Sequence, residues 1–154
     1  MRNSVMALAL LIGCGGSVAA AEFDAGAHHD KLIDAFNNRQ WEDVKSVLAD
    51  DSVFHRANAT EVYSGPDAIV DHFEQTIGGE WNVKFVKLDS TDQFTGNDGG
   101  VVERGDFAIT AGADDSTCYA GSYMMTWAPQ DGGDDWKLKI LSWQDLETSL
   151  ENCK

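Results

Sequence analysis

Basic residues are scarce in this chain: 11 Lys and Arg stand against 26 Asp and Glu in 154 residues, a formal charge of −15. A phosphate-binding face needs clustered cations, and the few present are scattered, so nucleic acid and anionic membrane surfaces are excluded as expected partners. Long apolar runs are missing too. The longest greasy stretch, Val5 to Ile12, is too short to cross a bilayer. There is no G-x-S-x-G elbow, no phosphate-cradling glycine loop and no dinucleotide fingerprint between a strand and a helix. No internal repeat or low-complexity linker divides the chain.

What is present begins with an address. Met1, Arg2 and Asn3 precede the apolar run, and Ala19-Ala20-Ala21 follows it before Glu22. That order reads as a secretory signal over residues 1–21, leaving a single domain over 22–154. Leu11-Ile12-Gly13-Cys14 also resembles a lipobox, so a lipoprotein signal over 1–13 with Cys14 acylated is the alternative, and the one route to a membrane. Either way the domain is expected outside the cytoplasm, periplasmic or secreted. Both readings leave Cys118 and Cys153 in the domain, and an oxidising compartment favours a disulfide between them over two separate thiols.

Apolar residues make up 43% of the chain and aromatics 10%, enough for a packed core and too much for a disordered acidic tail. Leu32, Ala35 and Phe36 share a helical face in the segment from Ala25 to Asn37, and a short helix follows from Trp41 through Leu48. Asn37-Asn38 is the turn between them. Ala49-Asp50-Asp51 ends the helical pair, and Ser52–Arg56 reads as a first strand. A third helix starts at Ser64-Gly65-Pro66-Asp67, with Ile69, Phe73 and Ile77 as its stripe and His72 beside it.

After Gly78-Gly79 the period becomes two. Strands are expected from Trp81 to Leu88 and on toward Phe94, then at Gly100–Ala111, Cys118–Ala128 and Trp136–Leu146, separated by Gly- and Asp-rich turns. Such short links force antiparallel pairing, because a parallel crossover needs a dozen or more residues. The expected class is α+β, three N-terminal helices packed on one face of a strongly curved antiparallel sheet.

The run from Lys31 to Glu147 resembles the nuclear transport factor 2-like superfamily, in its SnoaL-like and ketosteroid-isomerase-like branch. The resemblance is carried by Leu32–Trp41, Leu48–His55, Tyr63–Ile69, Glu103–Phe107, Gly121-Ser122-Tyr123, Trp136-Lys137-Leu138 and Trp143. It implies a cone-shaped α+β barrel with a pocket between helices and sheet, and often a homodimer across the sheet's outer face. No single chemistry follows, since the fold hosts isomerases, cyclases, dehydratases and plain binding modules.

Carrying the ketosteroid isomerase pattern over from Ala49-Asp50-Asp51 puts the catalytic aspartate at Arg56 and the first-helix tyrosine at Leu32, so neither functional group is present. A slip of one residue puts His55 at the base position. Glu103 shares a strand face with Val101, Gly105, Phe107 and Ile109, where burial would suit it to general acid or base work. A structural ion pair with Arg56 or a lysine is the competing reading. Tyr119, Tyr123 and Trp127 alternate on one strand face, with Trp136 and Trp143 on the next. They suit the walls of a ligand pocket or ordinary core and dimer surface.

The expected pocket comprises Phe54, His55, Arg56, Phe73, Glu103, Phe107, Tyr123, Trp127 and Trp143, with His55 and Glu103 the catalytic candidates and a small, partly apolar molecule the ligand. No cofactor and no metal is expected. His28-His29 are adjacent, splay about 100° apart on a helix and read as a solvated helix start. The window Asp92–Glu103 fails as a calcium loop at Phe94 and Gly96, and has Asn97 where glycine is needed. The turns at Asp114-Asp115 and Asp134-Asp135 read as solvated. Asn58-Ala59-Thr60 is a glycosylation sequon in an exported chain.

Binding of a small molecule with catalysis undecided is thus the first expectation. An isomerase-, cyclase- or dehydratase-like enzyme and a dimeric association module are the alternatives. The mass of the purified protein's first residue checks the address: a chain starting at Glu22 is expected for the plain signal, and an acylated Cys14 overturns it.

Overall fold

A computed structural model describes residues 23–56, 59–113, 115, 117–130, 135–148 and 153. The expected export segment, Cys14, Asn58, Asp114 and Asp134 lie outside the described residues, as does the Ile77 side chain.

Helix α1 (Ala25–Asn37) starts where the Asp24 carboxylate accepts the Ala27 N–H at 3.2 Å. Its buried residues are Ala25, His29, Leu32, Ala35 and Phe36, one stripe at helical spacing. It stops at Arg39, whose φ of 58° no helix continues. The Asn37 side chain then behaves like a strand residue: its amide donates to the Phe85 carbonyl and accepts the Phe85 N–H, both at 2.8 Å.

Helix α2 (Trp41–Val47) passes straight into β1 (Leu48–Arg56). The strand therefore starts earlier than the polar run Ala49-Asp50-Asp51 suggested, because Leu48 already has extended backbone (φ −83°, ψ 142°). A short β2 (Val62–Ser64), not anticipated from the sequence, pairs antiparallel with β1. Helix α3 (Pro66–His72) has Pro66 in its first turn and continues as a π-helical segment over Phe73–Glu80.

The meander follows as β3 (Lys84–Thr95), β4 (Val101–Ala111), β5 (Thr117–Pro129) and β6 (Trp136–Thr148). The six strands lie in the order β2-β1-β6-β5-β4-β3. Every pair is antiparallel except β1 with β6, which is parallel. The meander from β3 to β6 is antiparallel, as its short links imply, and the parallel pair lies outside it. Short links govern only consecutive strands, and β1 reaches β6 through most of the chain, where either direction is allowed.

Two glycines permit the curvature. A Cβ at Gly105 would overlap the Asp89 carbonyl on β3 and meet the Tyr123 hydroxyl at 2.7 Å. One at Gly121 would overlap the Gln144 carbonyl on β6 and press into the Phe107 ring at 2.5 Å. Register shifts at Phe85/Lys87 and Ser90/Asp92 place extra residues in β3, and those opposite Tyr119/Gly121 and Thr126/Trp127 place them in β6, which bends both strands. The concave face carries Phe107, Tyr123, Met125, Trp127, Leu138 and Leu141 against Phe36, Phe54, Ile69 and Phe73.

Cys118 and Cys153 are bonded, with Cα atoms 6.0 Å apart and a sequence separation of 35. Closing that loop stabilises the chain by about 3–4 kcal/mol. The double variant Cys118→Ser/Cys153→Ser is expected to melt roughly 10 °C below the parent in a thermal scan. Melting at the parent's temperature would show that the tie adds nothing.

Candidate functional site

An aromatic layer divides the inside of the cone. Trp143 on β6 sits at its centre, with ring centroids 4.8 Å from Phe54, 5.7 Å from Phe107, 5.9 Å from Phe73 and 6.1 Å from Phe85. On one side of the layer a cavity of ≈190 Å³ opens between the π-helical segment, the starts of β3 and β5 and the ends of β1 and β4. Its walls are Trp81, Val83, Phe85, Ile109, Ala111 and Trp143, with Arg56, Thr76 and Tyr119 supplying polar atoms. Trp81 stands at the mouth, 53% exposed. The Gly112 N–H donates to its carbonyl at 2.8 Å, and the next residue, Asn82, has a φ of 44° and accepts from Arg39 at 3.2 Å.

The polar rim is ordered from behind. His72 stacks on Tyr63 with centroids 4.0 Å apart, and its Nδ1 lies 3.3 Å from the Thr76 hydroxyl. Burial holds the His72 imidazole below its usual range, with Glu61 opposing the shift and Arg56 reinforcing it. A neutral ring can accept the Thr76 proton, or carry its own proton on Nδ1 and donate to the Thr76 oxygen.

On the other side of the layer lies a buried pair. Glu103 is fully buried and His29 is 3% exposed. His29 Nδ1 faces the Leu88 carbonyl at 3.1 Å, and Nε2 faces Glu103 Oε1 at 2.6 Å. Two acceptors require either an imidazolium against a carboxylate, or an Nδ1–H imidazole against a protonated carboxyl. In both forms one proton sits in the 2.6 Å contact. The Trp127 indole N–H donates to the same oxygen at 3.2 Å, which favours the carboxylate.

Tyr123 Oη lies 3.4 Å from His29 Nε2. Burial, and then the Glu103 charge, push the Tyr123 phenol well above its ordinary range, so it remains a donor. Glu103 Oε2 has no partner among the described residues. An open groove over this end is lined by Phe23–Gly26, His29, Leu88–Ser90 and Gln93.

The residues expected to form one pocket are thus distributed over three places. Arg56 and Trp143 line the cavity. Phe54, Phe73 and Phe107 are the packed layer beneath it, each 3% exposed or less. Glu103, Tyr123 and Trp127 stand at the far end with His29. His55, half-buried, follows Phe54 and precedes Arg56 on β1, so its side chain takes the opposite face.

Two readings change. His29 is buried and bonded, not part of a solvated helix start, and its partner is Glu103, which was expected to pair with Arg56 or a lysine if it paired at all. His29 lies three residues before Leu32 and seven before Phe36, so the helical period that identified the stripe already included it. Among the cavity walls, Trp81, Val83 and Phe85 alternate within the strand expected from Trp81, although β3 begins only at Lys84, whereas Thr76, in the π-helical segment, had no such signal. No group of three or more metal-ligating side chains occurs among the described residues.

Residues 29–133 match the family model of the SnoaL-like domain. Among functionally characterised proteins no sequence matches the chain significantly. Solved structures do. One is the hexachlorocyclohexane dehydrochlorinase LinA-type3 of Novosphingobium barchaimii LL02, with TM-score 0.63 and 18% identity over 79% of this chain and 84% of that one. Another is the putative calcium/calmodulin dependent protein kinase II association domain of Xanthomonas campestris, with TM-score 0.66 and 19% identity over 82% and 90%. A third is ActVI-ORFA of Streptomyces coelicolor, with TM-score 0.65 and 10% identity over 77% and 92%. At these identities the likeness is one of fold.

Removing one member of the buried pair strands the other's charge. His29→Ala is expected to cost about 3–5 kcal/mol, whereas the apolar pair His29→Leu/Glu103→Met recovers most of it. Urea unfolding at neutral pH measures both, and a double variant no more stable than the single one would rule out the coupling.

Proposed function

The chain belongs to the SnoaL-like domain family, and from that premise we propose that it is an exported protein whose cavity binds one small, largely apolar molecule. The observation that carries this reading is the cavity's wall: six of its nine lining residues are apolar or indole side chains, and neither Glu103 nor His55 is among them. General acid or base work needs a group within hydrogen-bond reach of the substrate, and the two carboxyl and imidazole candidates are elsewhere. Binding is therefore the better supported use of this space.

Its size narrows the ligand. A dry cavity of about 150 Å³ holds a benzene, while pockets for drug-sized ligands run from roughly 300 Å³ upward. At ≈190 Å³ this cavity suits one ring or a short branched chain. A fused-ring ligand of steroid size would need the aromatic layer to move. The secretory N-terminus and the bonded cysteine pair both support work outside the cytoplasm.

The outer face of the sheet supports a homodimer. Phe94, Val102, Thr126 and Ile140 are cross-strand neighbours in one row over β3, β4, β5 and β6, and Met124 faces Ser142 one step away. Phe94, Val102, Ile140 and Met124 are 62%, 36%, 40% and 45% exposed, an apolar band on an otherwise acidic protein. A second copy would cover it isologously.

Native mass spectrometry of freshly purified protein is expected to show a doubled mass and a co-purifying small molecule. Titration with benzyl alcohol is expected to change the emission of Trp81 and Trp143. Ala111→Phe, which fills the space, should abolish that change while the fold persists by circular dichroism. No retained molecule together with no response to the alcohol would end the binding reading.

A further inference from the structure

The ligand's chemical class can be read from the polar part of the cavity wall, on the premise that the cavity is the binding site. The protein carries 26 acidic residues against 11 basic ones, yet among the described residues no carboxylate lines the cavity. Its polar lining is the guanidinium of Arg56 and the hydroxyls of Thr76 and Tyr119. All three can donate hydrogen bonds, and one is a permanent cation. Glu61 is close enough to act on His72 but is not part of the wall.

We propose that the cavity takes a ring-sized monocarboxylate, its apolar body against Trp81, Phe85 and Trp143 and its carboxylate on Arg56 and Thr76. A guanidinium matches a carboxylate in a two-point contact, and its five N–H groups can serve a protein neighbour and a ligand together. Thr76 contributes through His72. With its proton on Nδ1, the His72 ring donates to the Thr76 oxygen at 3.3 Å, which leaves the hydroxyl proton for the ligand. Burial and the Arg56 charge hold that ring neutral near pH 7, so this arrangement is open to it.

Calorimetric titrations with benzoate and with benzyl alcohol, which shares the ring but lacks the charge, test this. Benzoate is expected to bind about tenfold more tightly than the alcohol, the scale of one charge-assisted contact. Arg56→Gln should weaken benzoate about tenfold, down to the alcohol's affinity, and weaken the alcohol far less, and Thr76→Val should weaken benzoate several-fold. Both residues are exposed at the mouth, so the variants keep the fold. Equal affinities for the two probes, or an Arg56→Gln variant that weakens both alike, overturn the carboxylate inference and leave the cavity as a neutral-ligand site. If neither probe binds, the cavity reading falls and this inference with it.

Discussion

The whole arrangement depends on backbone meeting side chain at Gly105 and Gly121. Where a Cβ at Gly105 would overlap the Asp89 carbonyl, and one at Gly121 the Gln144 carbonyl and the Phe107 ring, the absence of side chains lets neighbouring strands coil around the concave face. An unbent sheet of six strands would offer the three helices a flat surface and exclude water without leaving a hollow. The bend instead carries β3 round to α1, where Asn37 closes onto Phe85 and His29 reaches both Leu88 and Glu103. The register shifts at Ser90/Asp92 in β3 and opposite Tyr119/Gly121 in β6 fall beside these glycines and add to the bend there.

Once bent, the interior is long enough to hold two environments, and the layer around Trp143 separates them. Below it a charge or a shared proton is buried between His29 and Glu103, with Trp127 and Tyr123 completing the group. Burial of this kind is expensive unless every partner stays in place, so the pair acts first as a fastener that ties the start of α1 to two strands. Above the layer the same sheet offers mainly hydrocarbon and indole. The buried polar pair and the apolar-walled cavity are thus at opposite ends of the interior.

Most of the architecture was legible because its causes are local. Period two over β4 and β5, the Gly- and Asp-rich turns and Pro66 at the head of α3 follow from spacing and backbone preference alone. The start of β1 was not, since Asp50 and Asp51 look like a loop and only the pairing of Leu48 with Leu138, across a register shift before Val53, carries the strand back past them. The parallel neighbour of β1 was likewise invisible, being a contact between chain ends. The site divided in the same way. Glu103 was found from its strand face, but its partner lay 74 residues earlier on a helix. The adjacent pair His28-His29 was judged as a unit, when only one of its members continues the stripe of Leu32 and Phe36. Of the cavity walls near Gly78-Gly79, Trp81, Val83 and Phe85 keep a period of two, but Thr76 comes from a π-helical stretch that has no period to read.

The distribution of acids separates scaffold from function. A dehydrochlorinase, an association domain and ActVI-ORFA share this cone at 10–19% identity, so the cone by itself specifies none of their roles. What differs from one such protein to another is which side chains the bent sheet presents to the hollow. Here strand alternation turns His55 away while turning Phe54 and Arg56 inward, and the aromatic layer puts Glu103 out of reach. Two residues that would favour proton transfer are thereby removed from the space where a ligand fits. The residues left there are a guanidinium, two hydroxyls and a set of flat apolar walls, which can hold and orient a small molecule. Among the described residues of that wall there is no carboxylate to take its proton, which is the ground on which binding is proposed over proton transfer.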